Sequence, residues 1–382
     1  TYTYDALNRL INEAGPAKTQ NFSYDPNGNR LSDGLGSYAY PVSNNKLQSR
    51  RGAAVSTDAA GHITADGSGR NYVYNQAGRL SQVLQGSTLL VSYYYNYKGQ
   101  RTRKVTTSAA PQGAQTVVYH YDLQGHLIAE TAGNGSRLRT YVWRDETPLA
   151  QIEYAPSRKI FYYDVDHLNT PREARDETAK VVWRWESDAF GTSYPNEDPD
   201  GDGQKVVMNL RFPGQYYDQE TALHQNYFRD YDPGTGRYVQ PDPLGLGGKS
   251  LSPYAYADGN PLAYRDQFGL YVEGIYQQST GHLFLYDYDS KEIISGTFES
   301  GGKPFGDPAP LGEYAILDTR RDDFFRLDPI DSQPYDDFNQ REKRSEIRLH
   351  RPGRTIGCIA ATDAENFDNL KRFIRATKTK KY

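Results

Sequence analysis

The stretch "RLHRPGRTIGCIAATD", residues 348–363, holds the side chains best suited to nucleophilic chemistry. Cys358 is the single cysteine of the 382-residue chain, and His350 lies eight positions upstream. A cysteine attacks as its thiolate, and a neighbouring imidazole makes that form accessible near neutral pH. Gly357 leaves room for a substrate, and the amides near Cys358 are placed for the oxyanion of a tetrahedral intermediate. "SEIRLH" alternates like a strand, "RPGR" reads as a turn and "TIGCIAA" returns beside it. Antiparallel pairing is therefore expected to bring Cys358 and His350 within side-chain reach. The competing reading of a solitary cysteine is a buried core filler.

A second stretch, "DPLGLGGKSLSPYAYADGNPLAYRDQFGL" at residues 242–270, carries Asp242 and Asp266 beside turn residues. Turn capping is the plainer role for each. "DPDGDGQ", from Asp198, opens like a calcium loop, but Asn209 stands where the bidentate acid of position twelve belongs. A polar turn, with no metal and no cofactor, is expected there.

The elements that must position these groups are legible as repeats. "YTYDALNRL" at 2–10, "FSYDPNGNRL" at 22–31, "YVYNQAGRL" at 72–80, "YYYNYKGQR" at 93–101 and "YHYDLQGHL" at 119–127 share one plan. An alternating aromatic strand leads to Asp or Asn, a turn, a basic residue or His, and usually Leu. Period-two alternation broken by Asp/Asn and Gly predicts stacked hairpins in one long meandering sheet. The composition agrees: 33 tyrosines and 35 glycines in a chain only 37% hydrophobic suit strands and tight turns over a thin core. The first residues already sit inside a repeat, so the chain reads as the C-terminal part of something longer. One cysteine excludes an intrachain disulfide, and no apolar run approaches the roughly 18 residues of a membrane span. A net charge of −4 argues against a nucleic-acid footprint over the whole chain, although "KRFIRATKTKKY" at the C-terminus is basic.

The repeats resemble the YD repeats of Rhs proteins and the related insecticidal-toxin C subunits, and residues 161–246 resemble the Rhs-associated core. The resemblance implies a mainly β fold, a hollow YD-repeat shell over 1–160 and a core over 161–270, around a C-terminal toxin at 271–382. It also implies self-cleavage, with Asp242 and Asp266 as a dyad that, held close, shares one proton and acts as acid and base on a peptide bond, and with Leu270–Tyr271 as the scissile bond. Gln267 and Ser252–Pro253 depart from the family pattern. Residues 271–382 read as a mostly β domain closed by a helix from Asp363. "HRPGRTIGCI", with His350 and then Thr355, Gly357 and Cys358, and the upstream "PAPLGEYAI" resemble the L,D-transpeptidase fold. That resemblance implies a peptidoglycan-directed cysteine enzyme acting on stem peptides, with no nucleic-acid partner. The Rhs likeness further implies a secreted effector of interbacterial competition with a cognate immunity protein and type VI secretion spike or adaptor proteins. The toxin would act in the periplasm of a Gram-negative target. The rival expectations are a nuclease or nucleotide-modifying toxin, using the acids between Asp318 and Asp337 and the basic tail, or a non-catalytic plug or receptor-binding tip.

Overall fold

The computed structural model describes residues 1–15, 19–122, 125–243, 252–266 and 269, and in the C-terminal part 282–286, 293–300, 314–318, 324–329, 338–339, 344–345, 348–350 and 359–361. The chain divides into two compact units, Thr1–Val272 and Glu273–Tyr382. Nearly all described elements are strands; a short helical turn at Ala257–Gly259 is the exception among the described residues. The mainly β expectation is met.

In the first unit, thirteen strands from Ser56–Thr57 to Val181–Arg184 form one antiparallel sheet in chain order. The repeat motif explains why. In "YNQAG", the Asn75 side chain accepts from the amides of Ala77 and Arg79, each at 3.0 Å, and its own amide donates to the Arg79 carbonyl at 2.9 Å. Gly78 completes the loop at φ +71°. This is the local side-chain turn that Asp and Asn favour. Asp5, Asp25, Asp58, Asn96, Asp122, Asp166 and Asp176 build the same loop. Each repeat therefore closes its own hairpin without long-range help.

The aromatic and basic positions then stitch one repeat to another. The hydroxyls of Tyr24, Tyr74, Tyr95 and Tyr121 donate to the backbone carbonyls of Leu10, Ile63, Leu80 and Arg101, at 2.9, 2.7, 2.8 and 3.0 Å. Arg9 and Arg79 lie over the rings of Tyr24 and Tyr95, and His62 and His126 stack on Tyr74 and Trp143. Tyrosine thus serves as both packing residue and donor, which suits a sheet stack with few aliphatic side chains.

Four further strands, Gln215–Asp218, Leu223–Asn226, Arg229–Asp232 and Arg237–Tyr238, form a separate antiparallel meander. Nearly every residue in it is buried, and Tyr216, Tyr231 and Tyr238 join repeat residues Tyr119, Tyr141 and Trp183 in one core cluster.

In the second unit a six-stranded sheet runs in the order 282–286, 293–300, 359–361, 348–350, 324–329, 314–318. Arg348–His350 and Ile359–Ala361 pair in parallel, with His350 opposite Ala360. This corrects the expected antiparallel return: alternation marks a strand but carries no direction. Thr355, Gly357, Cys358, the hairpin expected at 279–281 and the helix expected from Asp363 lie outside the described residues.

Candidate active site

The buried meander carries the aspartate pair. Asn226 and Arg229 face each other across the tight Tyr227–Phe228 turn, and Tyr238 lies opposite Tyr231 on the next strand. Beyond it, residues 252–256 add a short bridge: the Tyr238 amide donates to the Tyr254 carbonyl, and the Asp242 amide to the Pro253 carbonyl, both at 2.8 Å. That second bond fixes Asp242 beside the strand that bears Arg229.

The two predicted aspartates meet at one cation. Arg229 Nη2 lies 3.2 Å from Asp242 Oδ2 and 3.0 Å from Asp266 Oδ2. Asp242, Asp266 and Arg229 are only 8%, 1% and 3% exposed. Water cannot screen charges at that depth, so the guanidinium is what makes carboxylate burial tolerable. The remaining donors of Arg229 organise the backbone: Nη1 donates to the Pro253 carbonyl at 3.1 Å and Nε to the Gly269 carbonyl. Gly269 is the residue just before Leu270. Its φ is +65°, and a Cβ there would lie 2.5 Å from the Asn226 carbonyl oxygen, so only glycine fits this docked position.

A hydrogen-bond chain supports Asp266 from the other side. Asn226 Nδ2 donates to the Tyr238 hydroxyl at 2.7 Å and to the Asp266 backbone carbonyl at 2.6 Å, and Tyr238 donates to Asp266 Oδ2 at 2.7 Å. Burial, with Asp266 beside it, pushes the Tyr238 phenol well above its usual pKa, so it stays a donor. Its ring lies 3.7 Å from the Arg229 guanidinium carbon. The site thus brings together Asp242 and Asp266, the two aspartates that the family resemblance pairs. It adds Arg229, Tyr238 and Asn226, which sequence reasoning passed over although "NYFRDYD" places an arginine within an otherwise aromatic, strand-like run. Leu270 and Tyr271 lie outside the described residues.

Elsewhere, the carboxylates of Asp198, Asp200 and Asp202 lie within 4.8 Å of one another, and Lys180 pairs with Asp200 at 2.7 Å. The Asp198 loop is closed by its own backbone, with the Asp202 and Gly203 amides each donating to Asp198 at 3.1 Å.

Comparison with known proteins settles the family, because the model of the Teneurin YD-shell matches residues 1–248. The chain belongs to the Teneurin YD-shell family. It is 28% identical over 358 residues to the double-stranded DNA deaminase toxin A of Burkholderia cenocepacia, covering 82% of this chain and 24% of that protein. Toxin protein Tse5 of Pseudomonas aeruginosa is 26% identical, over 71% of this chain and 25% of its own. The tRNA3(Ser)-specific nuclease WapA of Bacillus spizizenii is 27% identical, over 70% and 12%. The chain therefore spans about a quarter or less of the length of these relatives. Among solved structures, the Photorhabdus luminescens Tc holotoxin pore superposes with a TM-score of 0.56 at 18% identity, covering 77% of this chain and 16% of that one. That likeness shows the YD-shell fold.

These relatives correct two expectations from the sequence. They are named for DNA deamination and tRNA cleavage, which overturns a cysteine L,D-transpeptidase or carboxypeptidase acting on peptidoglycan stem peptides and the exclusion of nucleic acid as a partner. The physical reason is that the assignment rested on two short stretches, "HRPGRTIGCI" and "PAPLGEYAI", and on an antiparallel return in whose place 348–350 and 359–361 pair in parallel.

Proposed function

We propose that this chain is the shell-closing and self-processing end of an Rhs-type toxin of interbacterial competition. It cuts itself between Leu270 and Tyr271 and so frees residues 271–382 as the toxin domain. The observation that carries this reading is the convergence of Asp242 and Asp266 on Arg229, whose Nε also holds the carbonyl of Gly269. With one cation between two buried carboxylates, a single retained proton leaves the site neutral, and the pair titrates as a unit. Asp266, which accepts from both Tyr238 and Arg229, is held as a carboxylate and serves as base toward a water. Asp242 holds the proton. The water oxygen bonds to the Leu270 carbonyl carbon while Asp266 takes its proton; the bond to the Tyr271 nitrogen then breaks as Asp242 protonates the leaving amine. Arg229 positions the segment by its grip on the residue before the scissile bond.

The substrate class of the freed domain is nucleic acid, a reading supported by the names of the deaminase and nuclease relatives. The acids between Asp318 and Asp337 and the basic run at 371–381 are its candidate groups. Backbone register puts Asp318, Phe325, Leu349 and Ile359 in one row across the sheet, so Asp318 and His350 share one end of it.

Intact-mass spectrometry of the purified chain tests the first step. The expected products end at Leu270 and begin at Tyr271, and Asp242→Asn or Asp266→Asn should leave the chain whole. A double Asn variant still cut at that bond would remove the dyad from the mechanism.

A further inference from the structure

A cavity of about 160 Å³ lies among Arg50, Arg70, Arg211, the Gly191–Pro195 turn and His224, and neither Asp242, Asp266 nor Arg229 lines it. Three guanidiniums line it against two carboxylates, Asp66 and Asp232. Both carboxylates are engaged. Asp232 pairs with Arg50 at 3.0 Å, and Asp66 accepts from the Tyr72 hydroxyl at 3.0 Å and the Ser68 hydroxyl at 2.8 Å. Among the described residues, no carboxylate lies within ion-pair distance of Arg70 or Arg211.

Arg211 is the unusual member. It is 3% exposed, and its Nη1 donates to the Met208 and Leu210 carbonyls at 2.7 and 2.9 Å. Its guanidinium also lies over the Trp185 and Tyr217 rings, at 5.1 and 4.6 Å. Burial lowers its pKa to about 10, the mark of a cation taken from water without a full counter-charge. His224, its neighbour in the cavity wall, is kept neutral by burial and by Arg211, and its Nδ1 is bonded to Gln215 at 2.7 Å. The wall therefore carries one net positive charge, and the space has room for more than a single water.

We infer that this cavity binds a tetrahedral oxyanion of the phosphate or sulfate type, held between Arg70 and Arg211 with Arg50 at its edge. Guanidinium forks match such oxygens in pairs, and a buried anion supplies Arg211 with a counter-charge in contact, where Glu197 acts on it only from beyond ion-pair distance. Because Arg50 and Arg70 come from the repeats and Arg211 from just before the buried meander, the anion clamps segments more than a hundred residues apart in the chain. It stabilises the folded shell by mass action, since the unfolded chain has no such site.

Thermal unfolding of the full chain, titrated with inorganic phosphate or sulfate against sodium chloride at matched ionic strength, tests this. The expected result is a saturable rise in Tm with either oxyanion that chloride does not reproduce. Arg70→Gln, at a half-buried position, should shift the titration midpoint about tenfold upward, and Arg211→Met should abolish saturation. Should Arg211→Met fail to fold, Arg70→Gln alone decides. Phosphate and sulfate also stabilise proteins by exclusion from their surface. A rise that is linear in concentration, or one whose midpoint is unchanged in Arg70→Gln, would overturn the assignment.

Discussion

Asp266 accepts from Arg229 at 3.0 Å across 37 residues of chain, and neither side chain is more than 3% exposed. Removing that cation leaves a net negative charge buried at Asp266 and Asp242, a loss of about 3–5 kcal/mol for a broken buried pair. Arg229→Met should therefore lower the urea midpoint strongly. Arg229→Lys keeps the charge but cannot serve both carboxylates and the carbonyls of Pro253 and Gly269 with one ammonium. It should fold with a smaller loss yet cut itself about 10²-fold more slowly, the scale of a slightly misplaced reacting group. Urea melts and a mass-spectrometric time course separate the two effects; equal cutting rates in Arg229→Lys and the parent would show that the Gly269 contact has no positioning role.

Gly269 allows the same point to be reached without touching a charge. At φ +65°, with the Asn226 carbonyl oxygen 2.5 Å from where a Cβ would sit, alanine cannot dock there. Gly269→Ala should slow self-cleavage and, because it strains one docked residue and leaves every buried charge paired, should lower the shell's urea midpoint less than Arg229→Met does. Unaltered cutting would mean that the segment reaches the dyad by another path.

The repeat sheet and the buried meander are locked by charge as well as by tyrosine packing. Asp218 accepts from Arg101 Nη2 at 3.0 Å and from Lys104 Nζ at 2.9 Å, with all three side chains buried. Asp218→Asn leaves two buried cations with only Glu220 between them and should cost about 3–5 kcal/mol. Arg101→Met combined with Asp218→Leu should cost less than the sum of the two single changes, which a double-mutant cycle in urea measures.

These relationships divide by range. The Asp/Asn–Gly loops were legible because each is closed by hydrogen bonds within five residues, as at Asn75–Arg79. Asp242 and Asp266 were legible as a pair from the family motif. Arg229 was not, because its partners lie 13, 24, 37 and 40 residues onward and nothing local marks it. The parallel pairing of His350 with Ala360 was missed because alternating residues fit either strand direction. The peptidoglycan chemistry was read from too little chain: Thr-x-Gly-Cys is too short to exclude other enzymes, and the relatives are named for DNA deamination and tRNA cleavage.

Asp230 gives the shell a pH signature. Burial raises its pKa from 3.8 to about 6, against the Gln240 amide, which donates to it at 2.6 Å, and the charges of Arg79 and Arg101; Asp218 pushes it further up. A folded-state pKa above the unfolded one means that the native state binds the extra proton between about pH 4 and pH 6. Stability then falls as pH rises through that window and levels off above it, by on the order of 2–3 kcal/mol. Asp230→Asn keeps an acceptor for Gln240 and never ionises. It should flatten this part of the stability profile and be the more stable form at pH 7. Parallel profiles for the two proteins in urea melts from pH 4 to pH 7 would show that Asp230 does not titrate there.

The identity of the freed domain's target yields the sharpest functional test. If residues 271–382 act on DNA or tRNA through the acids between Asp318 and Asp337, the sulfur of Cys358 is dispensable. Expression of the chain in the bacterial cytoplasm should then arrest growth with deaminated or cleaved nucleic acid, and Cys358→Ala should remain toxic. Asp242→Asn, which keeps the chain whole, should blunt the effect if release is required. Asp318→Asn tests the acid at the sheet end shared with His350 and should lower nucleic-acid damage by about 10²–10⁴-fold if that carboxylate takes part in proton transfer. Sequencing of genomic DNA and of tRNA from arrested cells reads deamination and cleavage directly. Toxicity that appears only on export to the periplasm and is lost in Cys358→Ala would sink the nucleic-acid reading, because neither DNA nor tRNA is the target there.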